Sequence, residues 1–390
     1  MKTKKILVTG AAGFIGFSLT RSLLESGFYV IGLDNLNNYY SKKLKVDRIE
    51  ILKKNKKFKF CKLDIRQKKK LDTFLKNEKI ETVYHLAAQA GVRHSIIKPE
   101  DYLTNNLVGF FNILEISKKL KVKHFIFAST SSVYGLNKKL PFSEKDPVNH
   151  PSQFYAATKR SNELMAHSYS CIYGMNCTGV RFFTVYGPWG RPDMALFKFV
   201  KNIINKKPID IFNYGNHVRD FSYIDDVVAC LKKIKNKLPK KLNSINQNDP
   251  SSSTVNFQIL NIGNQNKVKL MDYIKEIEKN LKQKAKKNYI KLQQGDIKES
   301  YSKLVNTNKI INYKFRTNYQ KGVKKFIKDF KKLNLFFNNT ARAVEFINNL
   351  PNDKNWWFEE KKQKGILNLK KNYAYLSKSH INDWYKKLKI

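Results

Sequence analysis

The stretch Lys5-Ile-Leu-Val-Thr-Gly10-Ala-Ala-Gly13-Phe-Ile-Gly16 constrains this chain more than any other, because an apolar run breaks into glycines and resumes as a helix. Gly10 permits a tight turn after a strand, Gly13 lets the backbone come close to a pyrophosphate, and Gly16 lets the next helix lie against a sheet. The helix start, at Phe14 and Ile15, offers its N–H groups to an anion. Such a pattern alone also fits an ordinary strand-to-helix turn. Context separates the two. Val30-Ile-Gly-Leu33 reads as a second strand ending in Asp34 and Asn35, at about the spacing where a carboxylate meets the adenosine ribose hydroxyls. An acid there repels a 2′-phosphate, so NAD is expected as the cofactor rather than NADP.

A chain of 390 residues can bury a sizeable core, as one two-lobed unit or two domains. Cys61, Cys171, Cys177 and Cys230 show no paired spacing, so free thiols in a reducing compartment are expected, and no metal site. Met1-Lys-Thr-Lys-Lys5 and the apolar run after it imitate a signal peptide, but the glycines interrupt that run and have another use. No run is long and apolar enough to span a bilayer, so a cytoplasmic protein with no membrane partner is expected. A net charge of +44 raises nucleic-acid binding. Lysine, however, is spread along the whole chain with Asn and Ile, and no helix-turn-helix, finger or RNA-binding pattern accompanies it, so no nucleic-acid partner is expected. Arginine is scarcer, and its planar fork suits phosphate or carboxylate. Arg93, Arg181, Arg191 and Arg219 all fall in motif-rich segments, where each either meets a ligand or pairs with a structural carboxylate.

In chain order, Asn35 to Tyr40 reads as a loop and residues 41–54 as a lysine-faced amphipathic helix. Phe58-Lys-Phe-Cys-Lys-Leu63 alternates as a strand and runs into Asp64-Ile65, where the acid either faces the adenine or caps a helix over 67–77. Thr82 to Leu86 is a fourth strand, continued by small residues from Ala87 and Ala88 to Val92 that let a cofactor lie close. A helix over 100–120, containing Asn105 and Asn106, leads to the strand His124-Phe-Ile-Phe-Ala128. Short strands alternating with helices imply parallel strands with crossover helices, hence an α/β, doubly wound sheet with its ligand at the strand carboxyl ends. The fifth strand runs into Ser129-Thr130-Ser131-Ser132, hydroxyls that either satisfy loop backbone or face the cofactor crevice. Tyr155-Ala-Ala-Thr-Lys159 opens a helix continuing to 173, with Tyr155 and Lys159 on one face. A nearby ammonium lowers a phenol's pKa, and the positive nicotinamide acts in the same direction, which would make Tyr155 a general base near neutral pH.

The chain resembles the extended short-chain dehydrogenase/reductases of the nucleotide-sugar epimerase group, and most of all the bacterial UDP-glucuronate 4-epimerases. The similarity covers residues 4–332. It is carried by the glycine stretch, Leu33-Asp-Asn-Leu-Asn37, His85-Leu-Ala-Ala-Gln-Ala-Gly-Val-Arg93, Tyr155-Ala-Ala-Thr-Lys159 and Arg181-Phe-Phe-Thr-Val-Tyr-Gly-Pro-Trp-Gly-Arg-Pro-Asp-Met-Ala195. The resemblance implies a catalytic set of Thr130, Tyr155 and Lys159. It implies a Rossmann NAD-binding domain over residues 1–180, a smaller discontinuous substrate lobe over 181–332, a homodimer, and a role in surface polysaccharide synthesis. It also puts Phe212 beside the uracil and Arg219 on the sugar diphosphate of a UDP-sugar. An aromatic face and a guanidinium suit those groups, although Phe212 also fits a strand core.

Relatives that dehydrate or decarboxylate commonly place an acid where this chain has Ser131 and Ser132; hydroxyls donate to a uronate carboxylate that an acid would repel. Thr184 is a further donor by resemblance, and Arg191 holds either that carboxylate or the diphosphate. The other readings are a decarboxylase or dehydratase of the same family, or a non-catalytic NAD-dependent sensor or scaffold, against which the complete Thr/Tyr/Lys set argues. Further on, a helix over 195–206, a surface loop over 238–256, a strand over 258–262 and a helix over 268–284 are expected. Gln293-Gln-Gly-Asp-Ile297 matches a late motif of the substrate lobe, and Asn306 stands where the family often has aspartate. Residues 335–390, with Trp356, Trp357, Phe358 and Trp384, fall outside the resemblance and receive no function: packing on the main body, a partner site and partial disorder all remain open.

Overall fold

A computed structural model describes residues 4–246 and 249–337; the aromatic residues from Trp356 to Trp384 lie outside them. The described residues up to Ile327 belong to one compact unit, and those from Lys328 on fall outside it. Within that unit, seven strands make one sheet: β1 Lys5–Thr9, β2 Tyr29–Asp34, β3 Phe58–Lys62, β4 Ile80–His85, β5 His124–Thr130, β6 Cys177–Phe182 and β7 Phe257–Ile262. Their order across the sheet is β7-β6-β5-β4-β1-β2-β3, and every neighbouring pair is parallel. The connections leave β1 in opposite directions on either side of the β1/β4 boundary, which opens a crevice at the carboxyl ends of the strands.

The helices that return the chain are α1 Phe14–Glu25, α2 Lys42–Lys53, α3 Lys68–Leu75, α4 Gly109–Lys119 and α5 Phe154–Tyr173. Of these, α3, α4 and α5 bury one face of the sheet in a core that includes Leu7, Ile31, Val83, Phe110, Ile113, Phe125 and Phe127, all essentially inaccessible. Phe110, Phe125 and Phe127 meet edge-on or offset at 5.3–5.8 Å between ring centroids. Near the other face, the helix Ile224–Ile234 lies beside α1: its Lys232 donates to Ser26, and the Tyr84 hydroxyl of β4 donates to the Leu231 carbonyl at 2.9 Å.

Short sheets follow β6. Thr184–Tyr186 pairs with Phe221–Tyr223, Ile209–Phe212 with Lys287–Ile290, and Val218–Arg219 with both Val268–Lys269 and Glu299–Ser300. Among described residues no helix is long and apolar enough to cross a membrane.

Two expectations change. The helix over 100–120 is broken: turns at His94–Ile97 and Pro99–Tyr102 lead into a π-helical segment, Leu103–Val108, before α4. The wider turn swings the Asn106 side chain inward, where it is buried and bonds both the N–H and the carbonyl of Gln89 and the Thr158 hydroxyl of α5. Val268–Lys269, expected as the first turn of a helix, instead pairs with Val218–Arg219, so that helix runs Leu270–Leu281. Residues 238–246 and 249–256 hold neither a helix nor a strand of the sheets, only an isolated bridge from Ser252 to Gln258.

Candidate active site

A cavity of about 840 Å³ opens at the carboxyl ends of the central strands. Its floor is the glycine loop. Gly10 has φ +73°, and a Cβ there would stand 2.8 Å from the Ala87 nitrogen; one on Gly16 would overlap the Gly10 carbonyl. Only glycine lets β1 turn into α1 against the strand beside it, and the result is a surface of backbone at Gly10, Gly13 and Gly16, with Phe14 and Ile15 lining it alongside. Leu86, Ala87 and Ala88 line the adjoining wall after β4. Asp34, at the end of β2, accepts the Ala12 N–H at 3.1 Å and the Leu36 N–H at 2.8 Å. Burial raises its carboxyl above the usual range, against the pull of those donors and of Lys45 and Arg48. Asn35 and Ile65 also line the cavity. A glycine cradle at a helix N-terminus, with a carboxylate at the neighbouring strand end, fits a dinucleotide whose ribose is unphosphorylated.

Asp64 neither lines this cavity nor caps α3. Its carboxylate receives Asn35 Nδ2 at 3.0 Å and both the backbone and the guanidinium of Arg66, and these bonds outweigh burial to hold it down at about 2. A carboxylate two residues before an arginine pairs locally, and the flanking Leu63 and Ile65 face the cavity instead.

Thr130, Tyr155 and Lys159 line the same cavity. β5 runs to Thr130, so the hydroxyl sits at the strand's last residue, ahead of the single tight turn Ser131–Tyr134. Thr130 Oγ1 accepts the Ser132 N–H at 3.2 Å and lies on the side of the Tyr155 phenol, whose pKa it lowers. Lys159, almost fully buried, donates to the Ala128 carbonyl at 2.9 Å, and burial, partly offset by Glu163, lowers its ammonium to about 8. The Tyr155 phenol is not lowered as expected. Burial raises it, and the Thr130 hydroxyl and the Arg191 charge recover only part of that; with the ammonium turned to a backbone carbonyl, desolvation wins.

Ser131, Ser132, Thr184, Arg191, Phe212, Arg93 and Arg219 all line the same cavity. Arg191 is held by Asp193 through two bonds, with Nε to Oδ1 at 3.0 Å, and lies 5.7 Å from the Tyr39 ring. Phe212 ends its strand half-buried, with the Arg93 guanidinium 4.0 Å above its ring, so it is a cavity wall and not strand core. Arg219 bonds Asp296 at 3.2 Å, and Arg93 stands 3.6 Å from the same carboxylate. Arg181 is different: fully buried, it makes a bidentate pair with Glu163 at 2.9 Å, and Glu163 also takes the Ser129 hydroxyl at 2.6 Å. Burial alone would raise the Glu163 carboxyl, but Arg181, Arg160 and Ser129 together hold it below its usual range. This arginine anchors the strand end beside Thr130 and meets no ligand.

Residues 6–246 match the model of the NAD dependent epimerase/dehydratase family. The chain belongs to this family. Protein CapI of Staphylococcus aureus is 48% identical over 325 residues, 83% of this chain and 97% of that protein. The probable UDP-glucuronate 4-epimerase of Rhizobium meliloti is 41% identical over 326 residues, 83% of this chain and 96% of its own length. The UDP-glucuronic acid 4-epimerase of Bacillus cereus, solved in complex with UDP-glucuronic acid and NAD, superposes with a TM-score of 0.74 at 33% identity, over 84% of this chain and 99% of that one.

As a member of this family the protein is an NAD-dependent enzyme, and the sheet, glycine cradle and hydroxyl-rich strand end are arranged accordingly. Sequence reasoning did not single out Asp296, Asp193, Tyr39 or Lys45 as lining residues, although each lies in or beside a quoted motif. Lining the cavity is a tertiary property that their spacing does not encode. Asn306 donates to Ser251 Oγ at 2.7 Å, and Ser251 in turn donates to Asp249; an aspartate at 306 has no proton to give that hydroxyl.

Proposed function

We propose that this chain interconverts UDP-glucuronate and UDP-galacturonate, epimerising C4 through a 4-keto sugar with no net redox change. The reading is carried by the hydroxyls that line the cavity at Thr130, Ser131, Ser132 and Thr184, together with Arg191, which would exchange part of its pairing with Asp193 for the substrate. Hydroxyls and a guanidinium suit a uronate carboxylate, whereas an Asp or Glu would repel it. The names of the Rhizobium and Bacillus relatives support the same substrate.

Bound NAD supplies a reversible hydride acceptor for C4 of the sugar. Tyr155 takes the proton from the 4-hydroxyl and gives it back after the ketone has turned its other face, and Thr130 hydrogen-bonds the same oxygen. Lys159 adds a positive charge that favours the phenolate, against the burial that raises the phenol in the protein alone. A 4-keto uronic acid is a β-keto acid, and it loses carbon dioxide when its carboxylate aligns with the carbonyl π-system. Ser131, Ser132, Thr184 and Arg191 hold that carboxylate out of alignment. Phe212 and Arg93 take the uracil, and Arg219 the diphosphate, exchanging part of its bond to Asp296.

A homodimer belongs to the proposal, supported by the resemblance and by exposed apolar side chains at Leu103, Val108 and Phe111 and, on α5, Leu164 and Ile172. A scattering mass of one chain would remove it. Surface polysaccharide synthesis as the destination of the product, and a cytoplasmic location, rest on the sequence reading. NMR of the products from UDP-glucuronate tests the reaction. UDP-galacturonate is expected; a UDP-pentose as main product would replace the epimerase with a decarboxylase.

A further inference from the structure

α2 carries a buried guanidinium that no step above uses. Arg48 has no accessible surface. Its Nη1 donates to the Ala12 carbonyl, inside the glycine loop, at 2.7 Å and to the Tyr40 hydroxyl at 2.9 Å. Its Nη2 donates to the carbonyls of Trp189 and, at 3.4 Å, Gly190. Trp189 has φ +61°, and its ring packs 5.5 Å from Phe17 of α1, so this segment is folded tightly against the glycine loop and its helix. The next residue is Arg191. The bonds Arg48 makes among the described residues all go to neutral oxygens, and its Nε is buried without a partner. A buried charge held this way is costly, and apolar packing would serve stability better. What only a guanidinium can do here is span two loops at once, because its planar fork presents separate donors in opposite directions, whereas an ammonium is a point.

We propose that Arg48 is a positioning residue that couples the cofactor half of the cavity to the sugar-nucleotide half. It fixes the Ala12 carbonyl, and with it the glycine loop, to the backbone that aims Arg191. Ordering of one loop by its ligand therefore pre-orders the other, and each ligand binds more tightly in the presence of its partner. The placement of the sugar nucleotide in this cavity rests on the function proposed above.

The test is NAD affinity of cofactor-stripped protein with and without saturating UDP, in wild type and in Arg48→Lys, alongside the melting temperature. In wild type, UDP is expected to tighten NAD binding about tenfold, within the usual span for coupled sites. In Arg48→Lys the factor should fall below about twofold while the melting temperature stays close to wild type. A merely structural arginine would lower the melting temperature and leave the ratio intact, which overturns the proposal. So does an absence of coupling in wild type, whether or not UDP-glucuronate is turned over; turnover of that sugar by wild type reports separately on the substrate. Should Arg48→Lys fail to fold, Tyr40→Phe removes one of the four bonds and keeps the ring. Its coupling factor should drop while folding is retained, and an unchanged factor contradicts the proposal.

Discussion

The two halves of the cavity are built from different materials. On the side proposed to take NAD, the surface is mostly backbone: glycines that permit a turn, small residues after β4, and one carboxylate at the end of β2. On the side proposed to take the sugar nucleotide it is mostly side chains, Arg93, Arg219, Asp296 and Phe212, brought from segments as far as about two hundred residues apart and held to one another by charge and stacking. A backbone surface tolerates few substitutions and admits one class of ligand. A side-chain surface can be retuned residue by residue, which is how one family serves many sugars.

That contrast can be broken at its junction. Tyr155→Phe deletes one oxygen from the point where the halves meet, and it should reduce turnover by about 10² to 10⁴ while NAD affinity stays as in wild type. Retained turnover in a steady-state assay would remove Tyr155 from the proton transfer. On the sugar side, Arg219→Lys keeps the charge but loses the fork. KM for the UDP-sugar should rise about tenfold with kcat little changed, the pattern of lost uniform binding; a fall in kcat alone would place Arg219 nearer the chemistry.

On the NAD side, Asp34 should make NADP bind at least about tenfold more weakly than NAD, since a like-charge contact worth one pKa unit is already a factor of ten. Equal affinities by calorimetric titration would mean that Asp34 does not meet the ribose. Ser131→Ala is milder. Losing one neutral hydrogen bond of about 1 kcal/mol should weaken uronate binding by about fivefold and release some pentose product; a neutral hexose should be less affected. The smallest effect is expected from deleting residues 338–390, which contain none of the named site residues. Turnover near wild type is the outcome; a folded but inactive truncation would show that the tail contributes to the site.

The same contrast explains how much was legible beforehand. The glycine loop, the strand ending in Asp34 and the parallel α/β order could be read because they follow from local spacing, and the strands expected through β5 appear in place. Asp64 misled, because a strand-end acid two residues before an arginine finds a partner without crossing the cavity. The break in the helix over 100–120 carried no sequence mark, since a π-helical turn needs no proline and is fixed by where the Asn106 amide bonds Gln89 and Thr158. Arg181 and Arg219 look alike in sequence; only burial against Glu163 separates an anchor from a ligand-facing group. The phenol differs for a related reason: the spacing of Tyr155 and Lys159 gives proximity but not the desolvation that opposes it, and the nicotinamide charge on which the expectation also drew is no part of the protein itself.

The central claim is that the sugar half of this cavity is built to hold a uronate carboxylate through the 4-keto stage. Its most direct test is a single time course with purified enzyme in which kcat/KM is measured for UDP-glucuronate and for UDP-glucose while evolved carbon dioxide is trapped. The account predicts a clear preference for UDP-glucuronate, with UDP-galacturonate accumulating and carbon dioxide only a trace of product. Equal kcat/KM for the two sugars, or carbon dioxide released in step with UDP-glucuronate consumed, would contradict it.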